Sequence, residues 1–114
     1  MSIERLRRIK PTIRNWEHPY LSGAWTPNYD EFNASDLEVI GEIPGDLDGV
    51  YLRNTENPVH EAIGRYHPFD GDGMIHSMSF ADGKATYRNR FVETAGFIAE
   101  QEAGHCLLYT SDAA

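Results

Sequence analysis

Met74-Ile75-His76-Ser77-Met78-Ser79-Phe80-Ala81-Asp82-Gly83-Lys84-Ala85-Thr86-Tyr87-Arg88-Asn89-Arg90-Phe91-Val92 decides the fold, because it specifies an antiparallel hairpin around a two-residue turn. Asp82-Gly83 supplies the positive φ angles that a type I′ turn requires. Counting outward from it, Phe80 faces Ala85, Met78 faces Tyr87, His76 faces Asn89 and Met74 faces Phe91. On the other face Ser79 meets Thr86, Ser77 meets Arg88 and Ile75 meets Arg90. One face is therefore apolar apart from the His76/Asn89 pair, and both strands give the same register independently. A buried imidazole needs partners for its ring nitrogens, and the cross-strand amide of Asn89 is the expected one for His76.

Outward on the amino-terminal side, Asn54 to Gly73 reads as a loop, with Pro58, Gly64, Pro68, Gly71 and Gly73 and no long apolar face. Its Tyr66, His67 and Phe69 favour a functional loop over a disordered one. Before it, Leu37, Val39, Gly41 and Ile43 alternate with Glu38, Ile40 and Glu42, then come breakers from Pro44 to Gly49, then Val50 to Arg53. This pattern predicts two strands around a turn. Trp16 to Ser35 has no sustained period and reads as an irregular segment lying over a core. Five aromatics within it, Trp16, Tyr20, Trp25, Tyr29 and Phe32, argue against a free linker.

Residues 1–15 read as a basic amino-terminal arm, holding Arg5, Arg7, Arg8, Lys10 and Arg14, half of the ten basic residues. Ile3, Leu6 and Ile9 recur at a spacing of three, so the arm is either solvated or a short amphipathic helix making weak contact with an anionic membrane surface. The whole 114-residue chain carries a net charge of −8, so nucleic acid is not an expected partner. No apolar run approaches the roughly 18 residues of a membrane span, and no signal-like h-region follows the basic start, so the expected location is cytoplasmic. A single cysteine, Cys106, cannot form an intrachain disulfide.

No catalytic constellation is expected from these residues: there is no Ser/His/Asp order, no phosphate-cradling glycine loop and no CxxC. His60, His67 and His76 lack the paired spacing of a metal site, and zinc on them is the least expected of the readings. Asp70-Gly71-Asp72-Gly73 lacks the further ligands of a calcium loop and reads as a tight turn. A non-catalytic, β-rich ligand-binding or interaction module stays open as the alternative function.

Several strings, taken in order, resemble the opening of the carotenoid oxygenase family. They are Pro19-Tyr20-Leu21-Ser22-Gly23, Glu42-Ile43-Pro44 with Leu47 and Gly49-Val50-Tyr51-Leu52-Arg53-Asn54, Asn57-Pro58, His67-Pro68-Phe69-Asp70-Gly71-Asp72-Gly73-Met74-Ile75-His76, and Tyr87-Arg88-Asn89-Arg90-Phe91-Val92 with Thr94. The resemblance spans about Trp16 to Gly104 and implies a mostly β fold, the first blade region of a seven-bladed β-propeller, incomplete, over residues 16–105. It further implies a non-heme iron(II) oxygenase that cleaves a conjugated C=C bond of an apolar carotenoid, apocarotenoid or stilbene with O2 to give two carbonyl products. In the family the iron sits on four histidines from later blades, steadied by glutamates behind them. His18, His60, His67, His76 and His105 match none of those positions, so no catalytic, cofactor or metal residue is assigned and the chain alone is expected to bind no Fe(II) and to be inactive. Phe69 resembles an aromatic that lines the substrate tunnel in lignostilbene-type members, and it is the single site residue carried over. Residues 106–114, Cys106 to Ala114, do not resemble the family's continuation and read as a non-native tail similar to a translated transposon-type sequencing adapter.

Overall fold

The computed structural model describes residues 1–61 and 71–105. It is mostly β, as expected: β1 (Ser2–Arg8), β2 (Asp30–Ser35), β3 (Gly49–Asn57), β4 (Asp72–Ala81) and β5 (Lys84–Phe91) precede one helix, α1 (Ala95–Ala103). The strands form one sheet in the order β1-β2-β5-β4-β3, with β1–β2, β2–β5 and β4–β5 antiparallel. Of the described residues, one compact unit gathers Met1–Arg8, Asp30–Thr55 and Met74–Phe91, and a second gathers 9–29, 56–61, 71–73 and 92–105.

The β4–β5 hairpin has the register expected from sequence, with Met74 opposite Phe91, His76 opposite Asn89 and Phe80 opposite Ala85. Asp82 (φ 53°) and Gly83 (φ 71°) both take positive φ, as a type I′ turn demands. Met74, Ala85, Asn89 and Phe91 are buried, which makes their face the inner one. Asn89, however, does not pair with the imidazole. Its Oδ1 accepts from Phe32 N–H at 2.6 Å and its Nδ2 donates to the Asp30 carbonyl at 2.9 Å.

That correction explains how β2 is held. Main-chain pairing between β2 and β5 is recorded only at Asn33↔Arg88 and Ala34↔Tyr87. Beyond it, side chains replace the ladder: Asn89 holds two β2 backbone groups, Arg90 donates to the Phe32 carbonyl (3.0 Å), and Glu31 accepts from Phe91 N–H (2.8 Å). Glu31 is 4% exposed and also takes two hydrogen bonds from Arg7, at 2.7 and 3.1 Å. Burial alone pushes its carboxyl up, but the Arg7 hydrogen bonds, the Phe91 N–H and the charges of Arg7 and Arg90 outweigh this and hold it below the ordinary carboxylate range.

Four sequence expectations are corrected. Residues 2–8 are neither a free arm nor an amphipathic helix but strand β1, whose Arg7 and Arg8 meet Glu31 and Asp30. Membrane contact through such a helix therefore loses its structural basis. The strand upstream of the breakers is Asp30–Ser35, not Leu37–Ile43: Asp36 (φ 50°) turns the chain left-handed, and Ile40 is 96% exposed with no strand beside it. The predicted 54–73 loop is narrower, since β3 runs to Asn57 and β4 starts at Asp72. Asp72 and Gly73 thus belong to a strand, while Asp70 lies outside the described residues.

Helix α1 has no counterpart among the sequence expectations. Thr94 caps it by accepting from Phe97 N–H (3.0 Å), and Gly104 closes it at φ 76° with its N–H on the Glu100 carbonyl (2.8 Å). Only Phe97 and Glu100 are buried along it, so no apolar stripe announces it in the sequence.

Candidate functional site

Two half-buried polar assemblies are the candidates. The first lies in the sheet. Alternation along β4 and β5 places His76 diagonally opposite Tyr87, whose hydroxyl is 2.6 Å from His76 Nδ1. On the other side His76 Nε2 is 2.8 Å from Thr55 Oγ1 of β3, and that hydroxyl donates to the Met74 carbonyl at 3.5 Å. The imidazole thus bridges the Tyr87 and Thr55 hydroxyls, each of which can donate or accept according to the His76 tautomer. Burial, joined by the Arg53 charge, lowers the His76 pKa, and burial raises that of Tyr87. Both groups stay neutral near pH 7, which suits a hydrogen-bond chain and not a base.

The second assembly lies in the other unit. His60, 8% exposed, spans from Thr12 Oγ1 (Nδ1, 3.0 Å) to Gln101 Nε2 (Nε2, 3.2 Å), tying the segment after β1 to α1. Burial lowers its pKa; Glu100 acts against this and His105 with it. Asp72 accepts from Val59 N–H at 3.1 Å. Burial drives its carboxyl up to about 6, the Val59 hydrogen bond opposes the rise, and Glu100 adds to it. The segment 56–61 is fixed by main-chain demand as well, since Thr12 N–H donates to the Val59 carbonyl (2.8 Å) and Tyr29 O–H to the Pro58 carbonyl (2.6 Å).

Among the described residues no three His, Cys, Asp or Glu side chains converge on a point that could hold a metal ion. His60 and His76 have both ring nitrogens in hydrogen bonds, and His18 Nδ1 accepts from Tyr20 N–H at the start of a 3-10 turn. The described residues do not fit an iron centre. Phe69 and His67 lie outside the described residues.

The described residues thus form one mostly antiparallel sheet that carries half-buried hydrogen-bond chains. Residues 25–113 match the family model described as retinal pigment epithelial membrane protein, RPE65. The chain belongs to this family, the carotenoid oxygenases. A relative named carotenoid cleavage oxygenase, from Mycobacterium tuberculosis, is 49% identical over 85 residues, 73% of this chain and 17% of its own length. Among solved structures, the lignostilbene dioxygenase of Pseudomonas brassicacearum superposes with a TM-score of 0.80 at 31% identity over 86% of this chain and 21% of that one. A Synechocystis apocarotenoid oxygenase gives 0.63 at 35% identity over 72% of this chain and 18% of that one. The chain thus spans about a fifth or less of each of these relatives.

Proposed function

We propose that this chain is the amino-terminal part of a non-heme iron(II) oxygenase that splits one conjugated C=C bond of a carotenoid, apocarotenoid or stilbene with O2. Each alkene carbon becomes a carbonyl carbon, and the two oxygen atoms are shared between the two products. The observation that carries the reading is the joint likeness of one sheet to a carotenoid cleavage oxygenase in sequence and to a lignostilbene dioxygenase in backbone. Iron suits such chemistry because it donates electrons to dioxygen, which zinc cannot. Its histidines, and the other blades of a seven-bladed propeller, belong to the rest of the protein. This chain's share is architectural, and Phe69 is its one candidate for the substrate tunnel, carried over from the family resemblance alone.

Expression of the coding sequence extended downstream, loaded anaerobically with iron(II) and given O2, is the test. A retinoid-length apocarotenoid and a hydroxystilbene serve as substrates, and two carbonyl products are expected from at least one. The 114-residue chain treated the same way retains no stoichiometric iron and consumes neither. One-to-one iron with turnover by the short chain, or an extended protein without in-frame histidines, would sink the reading and favour a non-catalytic module.

A further inference from the structure

Among the described tyrosines, Tyr87 is the one whose hydroxyl meets a basic nitrogen. Its oxygen lies 2.6 Å from His76 Nδ1, with the two rings tilted at 36° and their centres 6.0 Å apart. Tyr29 makes a bond of the same length, but to the Pro58 carbonyl, an oxygen that accepts a hydrogen bond and cannot keep the proton. Tyr20 and Tyr51 are wet, at 39% and 60% exposure.

Taking an electron alone from a half-buried phenol leaves a charged radical, which apolar surroundings disfavour; losing the proton in the same step removes that charge. The oxidised phenol is a far stronger acid than the resting one, so the step needs only an unprotonated base already at hydrogen-bond distance. His76 is such a base. Burial and the Arg53 charge lower its pKa and leave the imidazole neutral at rest, while burial raises the Tyr87 pKa and keeps the phenol protonated. An imidazolium formed at Nδ1 also finds an acceptor for its second N–H, because Nε2 lies 2.8 Å from Thr55 Oγ1. The β4–β5 ladder, with Met78 opposite Tyr87 and His76 opposite Asn89, holds the phenol and the imidazole in this diagonal relation.

We propose that Tyr87 is a redox-active residue, giving one electron to a peroxyl radical while its phenolic proton moves to His76 Nδ1. The O–H bond breaks, the Nδ1–H bond forms, and Tyr87 is left as a neutral phenoxyl radical hydrogen-bonded to an imidazolium. The peroxyl radical takes the electron and a proton from solvent and becomes a hydroperoxide. A thiol then returns one electron to Tyr87 and the imidazolium returns the proton, leaving a thiyl radical and the thiol's own proton in solvent. The choice of oxidant rests on the oxygenase reading above, since a conjugated chain handled together with O2 is a source of peroxyl radicals. The pair is then a sink that confines an escaped radical to one residue.

The test uses the 114-residue chain carrying ring-deuterated tyrosine and isotopically labelled histidine nitrogen. It is oxidised by peroxyl radicals from a water-soluble azo initiator in air and, separately, by photogenerated tris(bipyridyl)ruthenium(III), then frozen for electron paramagnetic resonance. With either oxidant the first radical is expected to be narrowed by the tyrosine label and coupled to a histidine nitrogen. Its yield should fall at least about tenfold in Tyr87→Phe and also in His76→Phe, the latter equivalent to about 59 mV or more for a one-electron couple. A tyrosyl radical in the unsubstituted chain without histidine coupling overturns the proposal, and needs no variant to fold. Histidine-coupled signal that survives in Tyr87→Phe overturns it as well. A radical on Tyr87 that forms with ruthenium but not with the azo initiator overturns the peroxyl assignment. An extended protein that cleaves no alkene would sink the oxygenase reading and leave the ruthenium result on Tyr87 standing.

Discussion

Asn89→Ala should uncouple β2 from the hairpin. The Asn89 side chain is 1% exposed and serves two main-chain groups of β2, accepting from Phe32 N–H and donating to the Asp30 carbonyl. Its truncation orphans both, at about 1–3 kcal/mol for each buried group, so the expected loss is roughly 2–6 kcal/mol. A small domain's entire margin is about 5 kcal/mol, so the seam opens or nearly opens. Amide hydrogen exchange followed by NMR reads this locally and needs no cooperative transition. The Phe32 amide should exchange at least about 30-fold faster, at roughly 1.4 kcal/mol per tenfold, while Ser77 and Ser79 on β4, which does not border β2, change little. Asn89→Asp sharpens the test, since a carboxylate still accepts from Phe32 N–H but cannot donate to Asp30. Phe32 should then keep much of its protection although stability falls. Unchanged Phe32 exchange in Asn89→Ala would refute the reasoning, because the side chain would then carry none of the pairing.

Asp72, with its carboxyl raised to about 6 against an ordinary 3.8, binds a proton more tightly folded than unfolded. Its contribution is therefore fully present below about pH 4 and is lost as pH rises to about 6, by roughly 3 kcal/mol at most. Asp72→Asn, which keeps an acceptor for Val59 N–H, should flatten that part of the pH dependence, measured as urea midpoints between pH 4 and 8; an unaltered profile would assign the dependence elsewhere. For His76, the order Tyr87 O–H to Nδ1 and Nε2–H to Thr55, which leaves the Thr55 hydroxyl for the Met74 carbonyl, is the expected one, and the Nε2–H tautomer it implies is visible in the nitrogen chemical shifts of the imidazole. Tyr87→Phe removes the donor to Nδ1 and should cost about 1 kcal/mol with the tautomer retained; a proton on Nδ1 in the unsubstituted chain would contradict the order.

How much was legible in the sequence depended on how far apart the partners lie. The β4–β5 hairpin could be read residue by residue because both strands and the turn are contiguous, so alternation on one side checks the other. β1 and β2 could not: Arg7 and its partner Glu31 lie 24 residues apart, and Asp30–Ser35 looks like a loop by composition. Leu37–Ile43 has the better alternation but no strand to receive it, and pairing decides against local pattern. Asn89 was visible as the polar residue of the apolar face, yet its partner Phe32 is 57 residues away, so the nearer His76 looked like its mate. Helix α1 was marked only by its ends, Thr94 and Gly104. Phe69, the single residue carried over from the family resemblance, falls in 62–70, outside the described residues.

A main-chain ladder is indifferent to which side chains hang from it, and most substitutions along such a seam are forgiven. The join between β2 and β5 is different, because Glu31, Asn89 and Arg90 perform with side chains what peptide groups perform elsewhere in the sheet. Its tolerance is thereby written into three codons. Asn89 has no substitute among the twenty residues that offers the same donor and acceptor at the same reach, since glutamine is one methylene too long and aspartate lacks the donor. Glu31 is bound in turn to Arg7, so drift at either position requires a matching change some two dozen residues away. In a protein whose other strands can vary freely at their exposed positions, this seam is where a single nucleotide change separates one strand pair from the rest.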